Sequence, residues 1–182
     1  MATIFNTFQQ IKRRFFALRN GAVGESMRRQ GAPYRIIFGL NLPQIVEISR
    51  EFGPDAEIAE RLWANVSTRE SLLLAPMIYP REEMTREKAV EWLRGAPTTE
   101  TVDVLCHRLL RYRPFAVELA SDLAVEDDDM LRYASLRLLF NLLPQSADVA
   151  VKVARAECGR GCALTRSVAT MLLDEAGYIL EN

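Results

Sequence analysis

Between Tyr34 and Tyr79 the chain reads YRIIFGLNLPQIVEISREFGPDAEIAERLWANVSTRESLLLAPMIY, and this stretch decides the fold class. Its apolar residues recur with helical period rather than alternating as in a strand. Asn41-Leu42-Pro43-Gln44 supplies an N-cap, a proline in the first turn and a glutamine placed to return a capping bond. Gly53-Pro54 stops that helix after Phe52, and the next runs from about Asp55 to Ala64. Ser67 and Glu70 stand at capping-box spacing, opening a helix through Leu72, Leu73, Leu74 and Met77 that kinks or ends near Pro76 and Pro80.

The pattern continues on both sides. Upstream, Ile4, Phe8, Ile11, Phe15 and Leu18 form one helical stripe. Downstream, the spacing predicts helices over Thr85–Arg94, closed by Gly95, then from Pro97-Thr98 to about Tyr112 and from Pro114 to Leu123. Asp127–Leu143, halted by Pro144, Ser146–Cys158 and Cys162–Leu180 complete the series. Helices of this length on short links, pairing at roughly 25- to 35-residue intervals, argue for stacked hairpins. The expected fold is all-α, a HEAT-like solenoid of about four to five hairpins whose concave side is lined by the second helix of each pair. One domain is expected over 1–182: basic N-terminal helices to 33, repeats over 34–143 and a C-terminal pair over 144–182.

The composition, 49% hydrophobic and 26% charged over 182 residues, is that of an ordinary globular chain. Its longest apolar runs are too short for a bilayer and are broken by Pro76 or Asn141, so no membrane span is expected. Cys106, Cys158 and Cys162 are too few and too scattered for a disulfide framework, which points to a reducing, cytoplasmic setting. Cys158 and Cys162 bracket Gly-Arg-Gly, but zinc would need two further ligands and His107 is the sole histidine; no metal or cofactor is expected. One histidine and no nucleophile elbow leave little for a hydrolase triad. The Arg-rich start reads either as a transit peptide or as the core face of a packed first helix. A monomer is expected.

Charge is near balance overall yet unevenly spread. Residues 1–35 hold seven basic side chains against one acid, +6, whereas 118–131 hold six acids and no base, −6. A basic arm carrying Arg13, Arg14, Arg28 and Arg29 suits phosphate contacts, which drive nonspecific nucleic-acid binding. The alternative is a solvated helix face.

The Tyr34–Tyr79 pattern resembles the opening repeats of the AlkD-like DNA alkylation repair proteins. The features carrying the resemblance are Tyr34, Phe38-Gly39, Pro43, Leu62-Trp63 and the helix-opening Glu70. TVDVLC, with Asp103, and MLRYASLRLL, from Met130 to Leu139, extend it. What the resemblance implies is a HEAT-like surface that grips duplex DNA and removes cationic N-alkylpurines without a deep base-flipping pocket. Asp103 then corresponds to the aspartate held against the deoxyribose, where it stabilises oxocarbenium character at C1′. A carboxylate about 4 Å from such a cation is worth roughly 4 kcal/mol at an effective dielectric near 20, or about three decades in rate. The family pattern has tryptophan where this chain has Thr99, and a second, later aromatic has no match. Arg132 is carried over as a phosphate contact, with Arg137 ranked below it because its helical phase differs by about 140°.

From the residues alone, Val102, Leu105, Cys106 and Leu109 form the core stripe of the Asp103 helix. Thr99, Asp103 and His107 run along its flank, which offers His107 as an orienter of the carboxylate. The plainer reading is that Asp103 complements the helix dipole or pairs with His107. Trp63 and Trp92 read as core, and Tyr133 or Trp92 is the candidate substitute for the missing aromatic. The rival to a glycosylase acting on alkylated duplex DNA is a noncatalytic repeat module that binds DNA or a protein partner.

Overall fold

The computed structural model describes the backbone of residues 2–181 and the side chains of residues 7–181, so Ile4 of the first stripe lies outside the described side chains. The chain forms helices α1 (Ala2–Ala17), α2 (Gly21–Arg29), α3 (Leu42–Phe52), α4 (Ala56–Trp63), α5 (Arg69–Ile78), α6 (Arg86–Gly95), α7 (Thr99–Arg108), α8 (Ala116–Leu123), α9 (Asp129–Asn141), α10 (Ala147–Arg160) and α11 (Arg166–Glu181). Short 3-10 turns cover Arg81–Glu83 and Leu110–Tyr112. Among the described residues there is no strand, only an isolated parallel bridge between Ile36 and Thr68. No helix among them is long and apolar enough to cross a membrane. The architecture is all-α and HEAT-like. The chain gathers into two compact units, Met1–Glu83 and Met84–Asn182.

In the first unit the expected signals operate locally. Asn41 caps α3 and forms the capping box with Gln44 in both directions. Asp55 caps α4 through the Ile58 amide. Ile45, Ile48, Ile58 and Leu62 are fully buried, and Trp63 is buried as expected.

The Ser67/Glu70 capping box does not form. Thr68 occupies the N-cap of α5 without a side-chain bond, and Ser67 turns to Asn65 instead. Glu70, fully buried, accepts bonds from the amides of Phe38 (3.1 Å), Gly39 (2.9 Å) and Leu40 (3.4 Å). Arg69, also buried, bridges Glu70 at 3.1 Å and donates to the Leu40 carbonyl at 3.0 Å. A carboxylate taken out of water must be paid back in bonds of this kind, and here both a cation and successive amides supply them. Gly39 makes the turn possible. Its φ is +77°, and a Cβ would lie 2.3 Å from the Asn20 carbonyl oxygen.

In the second unit α9 is the central element, packing against α6, α7, α8, α10 and α11. Leu131, Ala134, Leu136, Leu138 and Leu139 are buried, as is Trp92 from α6. The helix predicted to reach Tyr112 ends at Arg108 and continues as the 3-10 turn.

Glu70→Gln is expected to cost about 3 kcal/mol, because it leaves Arg69 buried without its counter-charge and turns an amide donor towards backbone donors. Gly39→Ala should destabilise to a similar degree through the positive φ and the close approach. Urea unfolding reads both, and a loss below about 1 kcal/mol for Glu70→Gln would contradict the assignment.

Candidate nucleic-acid interface

The helix α7 is capped by Thr98, whose side chain accepts from the Thr101 amide. Its core stripe of Val102, Leu105, Cys106 and Leu109 is buried, as the spacing predicts. Asp103 is thereby set on the helix flank, with about a third of its side chain exposed. Alongside, α9 presents Tyr133, Arg137 and Asn141 at four-residue intervals on one flank.

These two flanks meet. The Arg137 Nε donates to Asp103 Oδ1 at 2.7 Å, and the Tyr133 hydroxyl donates to the same oxygen at 3.0 Å. The second carboxylate oxygen has no hydrogen-bond partner among the described residues. One oxygen therefore anchors the group, and no protein bond engages the other. Burial, followed by the charge and hydrogen bond of Asp103, raises the Tyr133 phenol above its ordinary value of 10.0. Tyr133 stays a donor throughout the neutral range. Burial likewise raises the thiol of Cys106, which makes it a core residue rather than a nucleophile.

His107 does not orient Asp103. Its Nδ1 faces Asn141 Oδ1 at 2.8 Å, and Asn141 Nδ2 donates to the Arg137 carbonyl. The i, i+4 spacing is real, but Arg137 reaches the carboxylate from the neighbouring helix and takes the place that the sequence offered to His107. The network thus runs Tyr133–Asp103–Arg137 and His107–Asn141–Arg137.

The ranking of the two arginines is reversed. Arg132 is 6% exposed and bonds to Glu157 at 3.2 Å, to the carbonyls of Glu126 and Asp127 at 2.8 Å each, and to Asp129. Its guanidinium is consumed by the fold and does not present itself to phosphate. The 140° phase difference separates the two, and it places Arg137, not Arg132, beside Asp103. Glu157, whose carboxylate also accepts from Thr165, gave no sign of this role in the sequence. The findable signal was the matching four-residue ladder of α9, Tyr133–Arg137–Asn141, against Thr99–Asp103–His107.

Tyr133 and Trp92 are both buried, so neither lays an open aromatic face at Asp103. In the first unit, Arg14 pairs with Glu51 through two bonds, and Arg28 engages Glu25 and the Ile37 carbonyl. Arg13 and Arg29 are exposed. Two cavities of about 480 and 570 Å³ lie in that unit, and Asp103 lines neither.

The chain is thus all-helical and HEAT-like, with an aspartate anchored between two adjacent helices. The model of the DNA alkylation repair enzyme family matches residues 11–157, and the chain belongs to that family. Among solved structures, it is similar to a member of "a new family of proteins related to the HEAT-like repeat DNA glycosylases with affinity for branched DNA structures", with a TM-score of 0.79 and 16% identity over 96% of this chain and 82% of that one. That identity establishes the fold alone. No curated protein matches the chain.

Arg132→Gln should lower stability by about 3 kcal/mol, leaving the buried Glu157 with only Thr165 and the more exposed Arg160 as partners, while the salt slope of any DNA binding is unchanged. A reduced slope with intact stability would return Arg132 to the DNA surface. The raised Tyr133 pKa fixes a sign as well: its contribution is complete below pH 10.0 and declines above it, as the unfolded phenol loses its proton first. Tyr133→Phe should remove that alkaline decline, measured by unfolding across the alkaline range.

Proposed function

We propose that this protein binds duplex DNA and excises cationic N-alkylpurines, with Asp103 stabilising the oxocarbenium character that develops at C1′ as the base departs. The observation that carries this reading is the anchoring of Asp103, whose Oδ1 is fixed by Arg137 and Tyr133 while Oδ2 stays unbonded on a partly exposed side chain. A rigid carboxylate with one free oxygen is preorganised for developing positive charge, which avoids reorganisation during reaction. Arg137 and Tyr133 act as positioning residues. In this reading the remaining guanidinium nitrogens of Arg137 contact a phosphate next to the reacting nucleotide.

The Arg137 charge also opposes the work of Asp103, and Thr99 offers no aromatic face for a cationic base. These two features favour a second reading, a DNA-binding member without excision. The affinity for branched DNA described for the structural relative supports that reading at the level of fold. Either way the ligand is DNA and no metal or cofactor is called for.

The test is single-turnover release of N-methylated purines from alkylated duplex, comparing the natural chain with Asp103→Asn. Excision that falls by about three decades in the variant, while duplex affinity holds, is the expected outcome. Absence of release from the natural protein, with salt-sensitive DNA binding retained, would replace excision by the second reading. Loss of detectable duplex binding even at low salt would remove both.

A further inference from the structure

His107 leaves one ring nitrogen unused, and its neighbours decide which form that nitrogen takes. Asn141 is oriented by its own side chain: Nδ2 donates to the Arg137 carbonyl at 2.7 Å, and Oδ1 faces the His107 Nδ1 at 2.8 Å. An amide oxygen only accepts, so Nδ1 carries the proton of the neutral ring. Nε2 is then a bare lone pair. It has no hydrogen-bond partner among the described residues and belongs to a half-buried side chain.

Asp103 stands one turn earlier on the same flank of α7, with its Oδ2 in the same condition. Two acceptors without donors therefore share one helix flank, and no bond joins them. Cβ atoms one helical turn apart are about 5–6 Å from each other. A water giving one hydrogen to each of two acceptors spans roughly that distance, since each bond is about 2.8 Å long. Its oxygen lone pairs are then left for an electrophile. None of the other polar groups in this cluster is a free base: the Tyr133 hydroxyl donates to Oδ1, Arg137 is a cation, and the Cys106 thiol is buried.

We infer that His107 is the catalytic base of the excision, its Nε2 and the Asp103 Oδ2 together holding the water that attacks C1′. The inference rests on the excision reading above and adds to it the residue that takes the proton of that water. As the purine departs, the C1′–N bond breaks and its electron pair cancels the positive charge of the purine. The water oxygen bonds to C1′, one of its protons passes to Nε2, and the imidazolium afterwards returns that proton to solvent. Asp103 stabilises oxocarbenium character only while it is ionised, and a proton taken by its carboxylate would remove that charge. A separate base keeps the charge on Asp103 and puts the proton on His107.

The experiment measures single-turnover release of N-methylated purines from alkylated duplex by the natural chain, Asp103→Asn, His107→Ala and His107→Gln, with imidazole added or withheld. Both His107 variants should release purine about a hundredfold more slowly while duplex affinity stays at the natural level. Imidazole in solution should restore release by His107→Ala and leave the natural chain unchanged, a rescue that a purely structural role for His107 does not allow. His107→Gln keeps an amide that reaches Asn141, and it carries the rate comparison should His107→Ala lose the natural urea midpoint. Release at the natural rate from either variant, or a slow His107→Ala that imidazole does not restore, overturns the inference. The excision reading then still stands if Asp103→Asn has lost release. No release from the natural chain removes both.

Discussion

Helix α9 is enclosed by its neighbours, and an enclosed helix must find partners for every polar side chain it carries. It does so in three directions. Ser135 donates to the Ala120 carbonyl of α8 at 2.6 Å, Arg132 turns to Glu157 of α10, and Tyr133 and Arg137 turn to Asp103 of α7. Each bond fixes the rotation of α9 against a different helix, so the three together admit one register. The carboxylate at the centre of the functional reading is held by the same helix that holds the second unit together. At Tyr133 and Arg137 a substitution changes the setting of Asp103 and a cross-helix bond at once.

The helices themselves were legible because their ends are written in local chemistry. Asn41, Asp55, Thr85 and Thr98 cap the helices that their positions announced, and Gly53 and Pro144 lie just past helix ends. Glu70 was legible as important and misread in mechanism. Capping-box spacing is a local pattern, whereas the amides it binds lie some thirty residues upstream, at a separation of 30 to 32. The same limit explains the site. Asp103 could be singled out within its own helix, but the choice between Arg132 and Arg137 depends on how α9 is rotated about its axis, and that is set by Glu157 and Ala120, which no pattern within α9 reports.

The two arginines also show how burial separates roles that charge alone does not. Arg132 and Arg137 have the same side chain and the same helix, and both pair with carboxylates, two for Arg132 and one for Arg137, yet one is 7% exposed at the side chain and the other 27%. The first is a strut inside the fold; the second still meets solvent. An inventory of basic residues counts them equally, and only their surroundings tell a solvent-facing cation from a structural one.

Asp103 bonds Arg137 and His107 faces Asn141, and in both cases the partner lies 34 residues further along. A constant offset between two helices means that they run in the same direction and in step, as equivalent members of successive repeats do. It also sorts where the chain can change its length. An added or deleted residue inside α7 or α9 rotates everything beyond it by about 100°, breaking one pair or the other. The α8–α9 connection lies outside both ladders, and a length change there leaves the pairs opposed. Diversification of this chain by insertion is thus channelled into its connections, with the ladder around Asp103 kept in phase.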